Sequence, residues 1–198
     1  MICFMNIFVL EENNHDVNAA YHIDPHTGKM QLESAQMLCT NHWIDKYLGY
    51  VPRKLTSEEW SVLKEAKKNP VRDFPYLPTM YNHPCTVWAR ESLENYEWLF
   101  CYAHALNQEH MYRGGADHKS FREVIAKLPD PDNLPSRGRT PFAQAMPDEL
   151  KSDDAVASYR MFYMKDKAAI GKGATWKVRG KPWWWDEGIA DYDKRISR

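Results

Sequence analysis

The chain has few of the features that would assign it quickly. Its 198 residues include four cysteines, Cys3, Cys39, Cys85 and Cys101, and no CxxC pair. That spacing argues against a cysteine zinc site and for reduced thiols rather than a disulfide framework. No run approaches the roughly 18 apolar residues of a membrane span, and no signal-peptide pattern leads the sequence. A soluble cytoplasmic protein with no membrane partner is expected, a monomer by default. The net charge of −1 gives no global basic field of the kind many nucleic-acid binders carry, so any site for a polyanion has to be local. A P-loop is also missing. His26-Thr27-Gly28-Lys29 shares its Gly-Lys, but the upstream glycine and the preceding buried strand are absent, which leaves only anion binding at a helix N-terminus, helped by Lys29.

What is present is a helical pattern with a heavy aromatic load, 8 Trp and 11 Tyr, which either fills a core or stacks on rings. At this length a single domain is expected, with a helical body over about 1–167 and an extension over about 168–198. Asn6 to Leu10 reads as a buried extended segment or as the lead into a helix. A short helix follows the cap residues Asn13, Asn14 and Asp16 and should end near Asp24, because the residue before Pro25 is pushed off the α region. Pro25 or His26 opens a second helix, with Met30, Leu32, Ala35, Met37 and Leu38 as its apolar surface. Glu33, seven residues after His26, shares nearly the same face. Thr56-Ser57-Glu58-Glu59 is a capping-box start for a third helix to about Lys68. Pro84 begins a long central helix to about Tyr112, ended by Gly114-Gly115. Asp117 caps the next helix. Five prolines between 129 and 147 make a long loop, and Asp148 to about Lys167 reads as the last helix. The class is all-α.

From Arg160 to Lys181 the chain carries seven Lys or Arg against one acid, Asp166. Mixed with Trp176 and Trp183 to Trp185, these residues suit a strand of nucleic acid: cations neutralise phosphate while indole faces stack bases. The residues expected to bind it are Arg160, Lys172, Trp176, Lys177, Arg179, Lys181 and Trp183. The other reading is a tail whose tryptophans dock onto the helices and leave its lysines in water.

Two constellations could carry chemistry. His22, Asp24 and His26 alternate, with His15 seven residues before His22, and imidazole plus carboxylate suits zinc or iron; this is the basis for a metal-dependent hydrolase. Pro25, however, places the three across a helix break, and we assign no metal ligand and no cofactor. Alternatively, Glu33 works with His26 and Lys29 on DNA. Breaking an N-glycosidic bond builds positive charge at the sugar carbon, which a carboxylate stabilises and a neighbouring amine can capture.

The run from His26 to Glu33 is similar to the start of the active-site helix of the phage pyrimidine dimer DNA glycosylases, small all-α repair enzymes with a His seven residues before their catalytic Glu. Asn82-His83-Pro84 followed by a long helix ending in Arg113-Gly114, with Asp117–Lys119 beyond, resembles the corresponding portion of that family's bacterial relatives, and Asn82, His83, Trp88 and Arg113 are expected to be structural or site-lining. The aromatic and basic tail resembles the family's segment that lies against DNA. The layout also resembles a group of phage-encoded proteins that supplies no activity. The resemblance implies a DNA N-glycosylase, possibly a lyase as well, acting on damaged or modified pyrimidines in a host-cell cytoplasm, with Glu33 catalytic and His26 and Lys29 beside it. There are departures. The family's nucleophile is the α-amino group of a small residue exposed by methionine removal, whereas Met1 precedes Ile2 and a start at Met5 would expose Asn6. Where the family has arginines beside its Glu and three residues beyond, this chain has Leu32 and Gln36. Lys29 is then the substitute nucleophile. A non-catalytic protein that binds DNA or another protein is the alternative class.

Overall fold

The computed structural model describes residues 5–69, 71–168 and 173–186, with only the backbone of 167 and 168. The fold is all-α, with no strand among the described residues. Helices α1 (His15–Ala20), α2 (Asp24–Leu48), α3 (Ser57–Ala66), α4 (Pro84–Trp88), α5 (Leu93–Tyr112), α6 (Lys119–Glu123) and α7 (Ala155–Ala168) are joined by loops, with 3₁₀ turns at Ile125–Lys127 and Asp148–Leu150. No helix among the described residues is long and apolar enough to cross a membrane.

The centre of the molecule is α2, packed antiparallel to α5. His42 meets the hydroxyl of Tyr96 near the start of α5 (2.8 Å), and the Thr27 hydroxyl meets His110 near its end (3.2 Å). Most of α2 between His26 and Asp45 is buried, with Lys29 and Leu32 exposed and Gln36 half-buried. Along one side of α2 runs the chain from Met5 to Leu10, every residue of which is buried. This segment forms neither helix nor strand. The Asn6 side chain accepts from the Ile7 amide (2.8 Å) and donates to the Ala145 carbonyl (2.9 Å), which turns the backbone away from a helical path. Phe8 has φ +34°, a left-handed conformation that costs an ordinary residue energy. Its ring lies among His22, His26, Tyr159, Phe162 and Tyr163.

Several helix boundaries differ from those expected, each because side chains capture backbone groups. The first helix stops at Ala20 and Asp24 belongs to the first turn of α2. The single helix expected over 84–112 is two. Ser92 accepts from the Asn95 amide (3.2 Å) as the N-cap of α5, and the Asn95 side chain donates to the Trp88 carbonyl at the end of α4 (2.7 Å). His118, not Asp117, caps α6. Asp148 starts only a 3₁₀ turn, and α7 begins after Asp154, whose carboxylate accepts from the Ala157 amide (2.9 Å). The capping box at Thr56 and Glu59 stands where its spacing puts it. Gly114 (φ +88°) follows the end of α5, and a Cβ on Gly115 would sit 2.3 Å from the His110 ring.

Arg90, 2% exposed, anchors the loop between α2 and α3 by donating to the carbonyls of Val51 (2.8 Å), Tyr81 (2.9 Å) and Arg53 (2.6 Å). Asn82 holds the same loop through both backbone groups of Leu55 (2.7 and 3.1 Å). Removing the guanidinium leaves three carbonyls without their donor. Arg90→Leu should lower unfolding stability by about 3 kcal/mol, read from urea titrations; an unchanged midpoint would contradict this role.

Candidate active site

Glu33 is 4% exposed although it is an acid in mid-helix. Among the described residues, two contacts hold it. The Asn6 backbone N–H donates to its Oε2 at 2.9 Å, and Lys29 Nζ, one turn earlier on α2, lies 3.4 Å from its Oε1. The Lys29 side chain is 39% accessible, so the ion pair runs from the surface into the core. The negative end of the pair is felt around it. Cys85 is pushed up to about 12 and the Tyr102 phenol well above its usual range, in both cases chiefly by burial, with the Glu33 charge contributing.

His26 is buried beside the same segment, its Nδ1 3.1 Å from the Tyr163 hydroxyl and its ring against Phe8 and Tyr163. One turn earlier His22 uses both ring nitrogens. Nδ1–H donates to the Asn18 carbonyl (2.7 Å) and Nε2 accepts from the Tyr102 hydroxyl (2.7 Å). Burial lowers its pKa to about 4. Asp24 is turned outward from both, accepting from Arg113 (2.9 Å) and from the Lys177 amide (3.0 Å). The alternating trio is therefore divided among three sets of partners. Among the described residues no group of three His, Cys, Asp or Glu side chains is placed to hold a metal ion.

The residues around Asn82-His83-Pro84 serve the scaffold. His83 caps α4 by accepting from the Cys85 amide (3.2 Å), and Trp88 is buried against Trp98 and Phe142. Arg113 donates to Glu109 (2.6 Å), to the carbonyls of His22 and Ala20 (both 2.9 Å) and to Asp24, tying the end of α5 to the junction of α1 and α2.

The described part of the tail, 173–186, lies across this junction. The Asp24 amide donates to the Thr175 carbonyl (2.9 Å), and the indole of buried Trp176 donates to the Tyr21 carbonyl (3.1 Å). Trp184 and Trp185 are buried, while Trp183 is 67% exposed. Much of the basic charge is turned inward. Arg179 pairs with the buried Glu109 (2.8 Å) and lies over the Tyr112 ring, and Arg160 donates to the Leu10 carbonyl (2.9 Å) under Trp183 and Trp184. Lys181 pairs with Asp186 (2.7 Å). The Lys177 side chain is exposed. Lys172 lies outside the described residues.

Sequence reasoning brought Glu33 and Lys29 together and placed His26 on the same helix, but it missed Asn6, Tyr102 and Tyr163. Their partners are 27, 80 and 137 positions away, and no short-range pattern marks such contacts. A cavity of about 450 Å³ opens elsewhere, between Asn14, His15 and Asp16 at the start of α1 and Phe100, Cys101 and His104 of α5; His15 lines it, apart from His22, Asp24 and His26.

The buried His22 gives the region a pH signature. As pH falls from its ordinary 6.5 to about 4, the unfolded chain takes up a proton that the folded His22 refuses. This contribution to stability is full above 6.5 and lost on the way down, about 2 kcal/mol of it by pH 5. His22→Gln should lose less stability than the parent between pH 7.5 and pH 5 by about that amount, measured by urea unfolding at each pH; equal losses would refute it. Compared with protein-family profiles, with curated proteins and with solved structures, the chain matches none of them.

Proposed function

We propose that this protein acts on DNA as an N-glycosylase of damaged or modified pyrimidines, with Glu33 and Lys29 as its reactive pair. The observation that carries the reading is the buried Glu33 carboxylate with the Lys29 amine 3.4 Å away on the solvent side. An exposed i, i+4 pair is an ordinary helix feature. A pair whose acid is almost fully buried holds negative charge in a poorly screened place, beside an amine that a substrate can reach.

The chemistry follows from that arrangement. As the bond between the sugar C1′ and the base breaks, its electron pair leaves on the base, which takes up a proton. The Glu33 carboxylate stabilises the cationic sugar. The Lys29 amine, in its neutral form, adds its lone pair to C1′ and passes its surplus proton to the carboxylate. The C1′–O4′ bond then breaks with its electron pair on O4′, which takes the proton back from Glu33, and the opened sugar is held to Lys29 by a protonated imine. The Asn6 nitrogen is closer to Glu33, at 2.9 Å against 3.4 Å for Lys29, but in this chain it is an amide, whose lone pair is delocalised and not nucleophilic. Its part is to hold the carboxylate.

The tail contributes to DNA binding through what it leaves outside, Trp183 and Lys177, while Arg160 and Arg179 fix its path. A non-catalytic interaction protein is the second reading, and the exposed Trp183 beside Arg160 is the observation that favours it.

The test is base release from ultraviolet-irradiated and modified-pyrimidine duplexes. The wild type should release base. Glu33→Gln, which keeps an acceptor for Asn6, should be slower on the order of 100-fold or more, while Lys29→Ala should lose strand cleavage and retain slow release. No release from any such duplex, or equal rates for wild type and Glu33→Gln, would overturn the enzyme reading in favour of the second.

A further inference from the structure

Two tyrosines on different helices address the two histidines that flank the start of α2, and hydrogen-bond directions fix what each does. Among the described residues the Tyr163 hydroxyl, fully buried, has two polar contacts: the Ile23 amide at 2.9 Å and His26 Nδ1 at 3.1 Å. The Ile23 N–H can only donate, so it occupies a lone pair of the phenol oxygen. Among those residues the phenol proton has one acceptor within reach, His26 Nδ1. Burial drives the Tyr163 phenol far above its usual range, so it keeps that proton. A neutral imidazole accepting at Nδ1 carries its own proton on Nε2.

His22 shows the contrast. Its Nδ1–H is given to the Asn18 carbonyl and its Nε2 accepts from Tyr102. Two histidines four residues apart, with rings 6.2 Å apart, are thus set in opposite tautomers by tyrosines from α5 and α7. Nothing in the sequence around His26 could specify this, because Tyr163 lies 137 residues away.

We propose that Tyr163 is a positioning residue that holds His26 in the tautomer with its proton on Nε2, keeping a proton donor at the head of α2. The assignment of the tautomer stands on the hydrogen bonds alone. Its use rests on the glycosylase reading, in which the departing base or the opening sugar ring needs a proton that an imidazole N–H can give. Tyr163 would touch neither substrate nor reacting atoms.

The test reads the proton directly. Nitrogen-15 chemical shifts of the histidine rings in the full-length protein, taken at neutral pH, distinguish the two tautomers without any assay of activity. His26 should show the Nε2–H pattern and His22 the Nδ1–H pattern. In Tyr163→Phe, which keeps the ring and loses the hydroxyl, His26 should move to a mixture or to Nδ1–H while His22 stays as it was. Tyr102→Phe should perturb His22 and leave His26 unchanged. A wild-type His26 protonated at Nδ1 overturns the proposal whether or not the variants fold, and so does an unaltered Nε2–H pattern in a folded Tyr163→Phe. Should base release fail while the tautomers behave as stated, the positioning stands and the glycosylase reading falls.

Discussion

A helix buried on nearly every side needs a partner for each polar group it carries, since an orphaned buried donor or acceptor costs about 1–3 kcal/mol. The core stretch of α2 carries His26, Thr27, Gln31, Glu33, Ser34, Thr40, Asn41, His42 and Asp45. Much of the remaining architecture answers that requirement, although the Ser34 hydroxyl, both polar atoms of the Asn41 side chain and the Gln31 side-chain carbonyl oxygen have no hydrogen-bond partner among the described residues. Tyr163 of α7 meets His26, Tyr96 of α5 meets His42, and the amides of Asp132 and Asn133 bring the proline-rich loop onto Asp45 (2.7 and 3.1 Å). Thr40 both accepts from and donates to the backbone of Thr79 (3.0 Å each). Asn6 brings the N-terminal segment to Glu33. The fold is a helical body arranged around the polar groups of one helix, and the Lys29–Glu33 ion pair lies where that helix reaches the surface.

The same economy governs the tail. Arg113 and Arg179 converge on the buried carboxylate of Glu109, and a buried acid with two guanidinium partners keeps its pKa below the usual carboxylate range despite the opposing effect of burial. The positive charge that looks available in the sequence is thus partly consumed in docking the segment across the start of α2. What stays exposed includes Trp183, Lys177 and Lys181, the last paired with Asp186; the Lys177 amide meets Asp24 at the start of the helix that carries Glu33, and Trp183 lies over Arg160.

The sequence was informative where the cause is local. The capping box at Thr56, the stop at Gly114 and the helical turn joining Lys29 to Glu33 depend on residues within a few positions of one another, and each is present. It was misleading where a side chain competes with helix continuation. Ser92 and Asn95 fit one face of an unbroken helix by spacing, yet as a cap and a carbonyl donor they split it. It was silent where the partner comes from far along the chain. Neither Tyr163 at His26 nor Asn6 at Glu33 leaves a mark in the pattern, and the alternation of His22, Asp24 and His26 conveys nothing of the separate partners each one finds.

On the proposed reading, Lys29 is the amine that reaches the sugar carbon beside Glu33. Reducing a mixture of the protein and an abasic-site duplex with borohydride, digesting both components and sequencing the modified peptide by mass spectrometry locates the bond. The predicted result is a deoxyribose remnant on Lys29, absent when the reaction is run with Lys29→Ala. A remnant on Lys177, Lys181 or any other residue, or no adduct under conditions in which the duplex is bound, would contradict it.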